Sequence, residues 1–255
     1  MSLDELRERW AQLHQSPEYQ ASCQHFTAEC ARLESIARDL YARREELQAH
    51  CDAATVRKEY ASCSTLHRGF YCPSPVFDLI VGNTHRGKLL KRITKACKPS
   101  HEYGFDANGR LLYCKSIYMG HYAYTEYLVY NENTIYGLNV DRNGSVSTVT
   151  EEIYAHGTLQ QFQSCLCLPT KDGFCCQEID CESYEYDNDG LYSCVRHHLI
   201  IPAQDIPEVL KDLLPQMPFP IYRRDQYQFE RKEGFLTGYT NEMGDFYPAR
   251  FQRKA

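Results

Sequence analysis

The sequence predicts an α+β protein: an N-terminal helical hairpin, then a large, mostly antiparallel β-meander carrying one further helix. Three observations predict it. Apolar residues recur at alternating four- and three-residue spacings from Phe26 to Cys51, the period of one helix face. Glycine-ended turns, among them Asn143-Gly144 and His156-Gly157, punctuate the remainder. Between those turns lie strand-type runs rich in tyrosine, which accounts for twenty residues in all and seven from Tyr113 to Tyr136. Such turns favour hairpins because both central positions of a type I′ turn need positive φ.

Residues 1–62 read as the helical hairpin, 63–75 as a junction and 76–255 as the meander domain. Ser16-Pro17 starts the longer helix, with Ser as cap and Pro at the first helical position. Its stripe runs through Phe26, Cys30, Leu33, Ala37, Leu40, Leu47 and Cys51, interrupted by Arg44. A shorter helix, Leu3 to Leu13, folds back on it. Packing of the stripe on the sheet is preferred to a coiled-coil arm, because three heptads with a charged intrusion make no sustained repeat.

Gly69, Pro73 and Pro75 mark the junction, and Val76 to Val81 is a short strand. Later turns are expected at Asn108-Gly109, Asp172-Gly173, Asp189-Gly190, Glu233-Gly234 and Met243-Gly244. The interrupting helix spans 203–214, closed by Pro215 and Pro218; the sequence leaves 88–97 open between helix and strand. Within Tyr122 to Tyr130, strict alternation puts Tyr122, Tyr124, Leu128 and Tyr130 on one face and Ala123, Thr125, Tyr127 and Val129 on the other.

Tyr103-Gly-Phe-Asp-Ala-Asn-Gly109-Arg-Leu resembles the Tyr-Asp repeat of RHS-type proteins, Tyr-x-Tyr-Asp-x-x-Gly-Arg-Leu, with Phe105 at the second Tyr. Looser versions end at Gly144, Gly190 and Gly234. The resemblance implies hairpins stacked into a continuous sheet. By analogy it also points to the immunity proteins of polymorphic toxin systems.

The composition, 43% apolar and 24% charged with a net charge of −6, is that of a soluble globular chain and argues against general nucleic-acid binding. The first ten residues mix acids and bases where a signal peptide needs an apolar run, and no stretch approaches about 18 apolar residues. A cytoplasmic protein without membrane association is therefore expected, its thirteen cysteines mostly reduced.

Several strings bear on chemistry. Gly82-Asn-Thr-His-Arg-Gly87-Lys88-Leu89 approximates a phosphate-binding loop, but Leu89 replaces the magnesium-binding hydroxyl and no alternating strand-helix pattern follows, so a turn plus basic segment is preferred. Glu185-Tyr-Asp187-Asn-Asp189-Gly190 copies half a calcium loop, and Arg196 stands at its twelfth position. Cys165, Cys167, Cys175 and Cys176 would approach one another across a hairpin and could hold zinc, although the spacing is not that of a zinc ribbon. Packing as small hydrophobes is the simpler reading, so no cofactor is expected. Glu151-Glu152 reads as the solvent side of a strand edge.

The expected function is that of a non-catalytic protein-binding module of immunity or scaffold type; the alternatives are a zinc-binding or thiol-active protein using the cluster from Cys165 to His198, and phosphate or nucleotide binding at Gly82 to Lys88. Its partner-binding residues would be Tyr122, Tyr124, Tyr127 and Tyr130, with the acids Asp180, Glu182, Glu185 and Asp187 forming a rim suited to a basic partner.

Overall fold

The computed structural model describes residues 8, 11–62, 64, 67–75, 86–94, 97–201, 220–233 and 235–254; the side chains of 235 and 249–254 are not described. Among the described residues, helical residues 11–15 lead into two successive helices, α1 (Pro17–Ala42) and α2 (Arg44–Ala54), which precede thirteen strands. These are β1 (Arg57–Ser62), β2 (Lys88–Leu89), β3 (His101–Phe105), β4 (Leu111–Tyr118), β5 (His121–Asn131), β6 (Thr134–Asp141) and β7 (Val146–Ala155). Then follow β8 (Thr158–Thr170), β9 (Gly173–Asp187), β10 (Gly190–Ile200), β11 (Ile221–Lys232), β12 (Phe235–Asn241) and β13 (Phe246–Lys254).

All thirteen strands join one sheet in the order β13 to β3, then β1 and β2, and every pairing is antiparallel. The glycine-ended turns explain why: His156 and Gly157 both take positive φ (52° and 79°), as a two-residue hairpin loop requires. Two turns were not anticipated. Met119-Gly120 separates β4 from β5, with φ of 51° and 82°, and Glu132-Asn133 separates β5 from β6 without any glycine.

The N-terminal helical assignment of residues 1–62 needs correction at its end. Residues 57–62 form β1, paired with β3 from Arg57↔Phe105 to Ala61↔His101. The apolar stripe stops at Cys51, so nothing holds a helix to a surface beyond Ala54, whereas β3 offers a ladder of backbone partners. The stripe itself packs on the sheet. Tyr19, Cys23, Phe26, Cys30, Leu33, Ala37 and Leu40 share one core with Leu138, Val149, Cys165, Ile179 and Leu199. Each of the larger side chains contributes about 1.5–3 kcal/mol by burial. Ser16 caps α1 by accepting the Tyr19 N–H at 3.1 Å.

The other face of the sheet is crossed by the segment expected to be a mere junction. Residues 67–75 lie over it as a strap: the Tyr103 hydroxyl donates to the Arg68 carbonyl, Arg68 reaches β5 and β7, and Ser74 reaches β9. The molecule is therefore layered as helices, sheet and strap. Lys88 and Leu89 are strand and 90–94 is irregular, so no helix follows Lys88 among the described residues. The 76–81 strand, residues 82–85 of the glycine loop, the 203–214 helix and most of the Leu3 to Leu13 helix lie outside the described residues.

Candidate functional site

Of the three tyrosines expected on one face of β5, Tyr122 parts from Tyr124 and Tyr130. β5 pairs with β4 as Ser116↔Tyr124 but Ile117↔Tyr122, so an extra residue in β5 forms a bulge and reverses the alternation. Tyr122 therefore joins Tyr127 on the helix face, and Tyr124 and Tyr130 lie on the strap face. Tyr127 is half-buried against the α1 and α2 cores, and the Tyr130 hydroxyl donates to the Leu111 carbonyl at 2.9 Å. The Tyr122 hydroxyl donates to Glu102 at 2.6 Å, and Lys115 Nζ lies over its ring at 5.2 Å. The hydrogen bond to that carboxylate, then burial, lifts the Tyr122 hydroxyl to about 12. Burial pushes Glu102 up, but hydrogen bonds from Tyr122, Lys58 and Tyr113 outweigh it and hold the carboxyl below its ordinary value.

What the bulge creates instead is an aromatic hairpin end. Tyr118, Met119, Tyr122 and Tyr124 surround the β4–β5 turn and are 68%, 82%, 49% and 43% exposed. They project from both faces of a two-strand tip. Tyr118 and Met119 were not anticipated as site residues, and the signal that could have found them is the Met119-Gly120 turn.

The expected acidic rim is largely consumed internally. Asp180 pairs with Arg196 at 2.7 Å and with His198 at 3.2 Å. Burial raises its pKa, yet these two partners outweigh it and hold the carboxyl low. Glu182 is buried, accepts from Ser74 at 2.7 Å and Tyr184 at 2.5 Å, and is driven upward chiefly by burial. Glu185 accepts from Ser193 at 2.6 Å, and Asp187 is exposed but ion-paired with Arg231. Of the four, Glu185 alone is exposed with only a neutral hydroxyl beside it, so they form no continuous acidic rim.

Two further carboxylates were read as solvent-facing and are not. Glu151 and Glu152 are each 3% exposed, because β7 is an interior strand covered on both sides. On the helix face Arg32 donates to both Glu151 oxygens at 2.9 and 2.6 Å. On the strap face Arg68 pairs with Glu152, and with Glu126 at 2.8 Å, and donates to Thr150 Oγ1 at 2.8 Å. Both acids and the guanidinium are buried there. Burial works against Glu126 ionising, but Arg68 and His67 overcome it and hold the carboxyl far below its usual range. Gly137 makes room: a Cβ there would overlap Glu126 Oε1 and Thr150 Oγ1 and lie 2.7 Å from Arg68 Nη2. These are positioning contacts that pin the strap.

The thiols are brought together differently from expectation. Cys167 and Cys176 are cross-strand partners with Sγ atoms 3.4 Å apart, while Cys175 points to the opposite side of β9 from Cys176 and leaves the set. Cys30 of α1 takes its place, its Sγ 3.8 Å from Cys165 Sγ. One ligand atom each from Cys30, Cys165 and Cys176 lies within 4.8 Å of the others. The 23, 30, 37 helical spacing aims Cys30 at the sheet, but only the docking of α1 on β8 and β9 selects which cysteines it meets.

No helix of the described residues is long and apolar enough to cross a membrane, which says nothing about strands. No family model matches the chain, and no curated protein matches it. Among solved structures, a porin-like protein from Bacteroides uniformis is similar at 12% identity over 60% of this chain and 87% of that one. Its TM-score is 0.18, a likeness that carries no argument about fold or function.

Proposed function

We propose that this chain is a non-catalytic binding protein for another folded protein, and that its contact surface is the aromatic end of the β4–β5 hairpin. The observation that carries this reading is the exposure of Tyr118, Met119, Tyr122 and Tyr124 together at one turn. Tyrosine buries a large area at the cost of few rotatable bonds, and clustered exposed aromatics are the usual centre of a protein interface. The sheet beneath supplies rigidity, since Tyr122 is anchored by Glu102 and Lys115 while its ring edge remains open. A cytoplasmic setting and an immunity-type or scaffold role are forms of the same reading.

The test begins with isolation of whatever stays bound to the native chain, followed by affinity measurements with that purified partner. Tyr118→Ala and Tyr124→Ala should each weaken binding about tenfold or more, corresponding to about 1.4 kcal/mol, with unchanged melting temperature. Tyr192→Ala, an exposed tyrosine on β10, should leave affinity unaltered. Unchanged affinity in both hairpin variants would sink the proposal.

A further inference from the structure

Among the described residues twelve cysteines are reduced, and most serve as scattered core thiols: Cys51 contacts the Leu112 carbonyl, and Cys194 lies among aromatic residues on the strap face. Four behave differently. Cys30, Cys165 and Cys176 bring their sulfurs within 4.8 Å of one another beneath α1, and Cys167 adjoins Cys176 at 3.4 Å; all four are buried. Packing as small hydrophobes needs only space and gives no reason for the sulfurs to meet.

We propose that Cys30, Cys165 and Cys176, joined by Cys167 as fourth donor, form a closed site for one soft, thiophilic cation, zinc or cuprous copper, which ties α1 to strands β8 and β9. Sulfurs held about 2.3 Å from a tetrahedral ion are separated by roughly 3.8 Å, the spacing Cys30 and Cys165 already have, and Cys176 lies within 4.8 Å of both; Cys167, outside that set but 3.4 Å from Cys176, must turn inward to become the fourth donor. The donor set is also selective: sulfur without carboxylate or water suits zinc or cuprous copper and not calcium, magnesium or manganese. Loading expels the thiol protons as the metal–sulfur bonds form, and because α1 lids the site it would occur as the chain folds.

The experiment uses the full chain made in zinc-replete medium and purified without chelator. One zinc or copper per chain is expected, lost in Cys30→Ser and retained in Cys175→Ser, whose thiol lies outside the cluster. Refolding under reducing conditions with cobalt alone, cuprous copper alone or zinc alone distinguishes the ions. Cobalt should give thiolate charge-transfer absorption and intense tetrahedral ligand-field bands. Purified wild-type chain without metal that also fails to develop those bands would overturn the proposal. So would equal metal content in wild type and the Cys30→Ser variant, or a chain two hydrogens lighter through a Cys167–Cys176 disulfide with no metal. The wild-type readouts decide the matter even if Cys30→Ser does not fold.

Discussion

Arg68 occupies the left-handed region at φ 53° and is buried between two carboxylates, an arrangement that only its partners can hold in place. Removing the guanidinium would leave Glu126 and Glu152 buried without compensation. Arg68→Met should therefore lower stability by about 3–5 kcal/mol in denaturant unfolding, and adding Glu126→Gln and Glu152→Gln should recover part of it. A loss below about 1 kcal/mol would mean that the strap is not pinned there. His101 sets a pH response. Burial, then the nearby His67, lowers its pKa from 6.5 to about 4, so as pH falls through 6.5 the unfolded chain takes up a proton that the folded chain refuses. The unfolded state then binds more protons, and stability declines between pH 6.5 and 4. Below the ordinary carboxylate value Glu126, Glu102 and Asp180, all held low, add to the loss. His101→Gln should flatten the upper part of this curve, which equilibrium unfolding across pH would register; an unchanged slope would count against it. None of this was legible residue by residue, because Arg68 and Glu126 look like ordinary surface charges until the chain is folded.

At the scale of elements, α1 is held by packing more than by its termini. Leu33 is wholly buried at the centre of the core, and Leu33→Ala should cost about 2–5 kcal/mol. Ser16→Ala, which removes the cap, should cost about 1 kcal/mol. Calorimetry that ranks them in the opposite order would show that α1 is not sheet-supported. The stripe from Phe26 to Cys51 was readable because a helix has one period, and the glycine turns because positive φ has a residue preference. The β4–β5 bulge was not. A single extra residue leaves no compositional mark, yet it moved Tyr122 to the other face from Tyr124.

For the whole molecule, three of the four acids expected to form a rim meet partners within the chain. Asp180, Glu182 and Asp187 face internal partners, and the exposed hairpin end is aromatic. Affinity for the partner should accordingly change less than about threefold between low and high salt, since steering by a free acidic surface would be screened away. A tenfold loss in a binding titration at high salt would restore the basic-partner expectation.

The sequence by itself determined the antiparallel meander from β3 to β10, because short turns join neighbours in the chain to neighbours in space and turn chemistry is local; β1, read as the end of a helix, and β2, left open, were placed beside β3 only by the tertiary structure. Only the tertiary structure decided what each face of the sheet meets, because coverage depends on where distant segments settle. The docking of α1 set Cys30 against Cys165 and Arg32 against Glu151, and the strap buried Glu126, Glu152 and Glu182. No spacing along the chain encodes those encounters; they arise when apolar surface from far-apart residues is removed from water in one place.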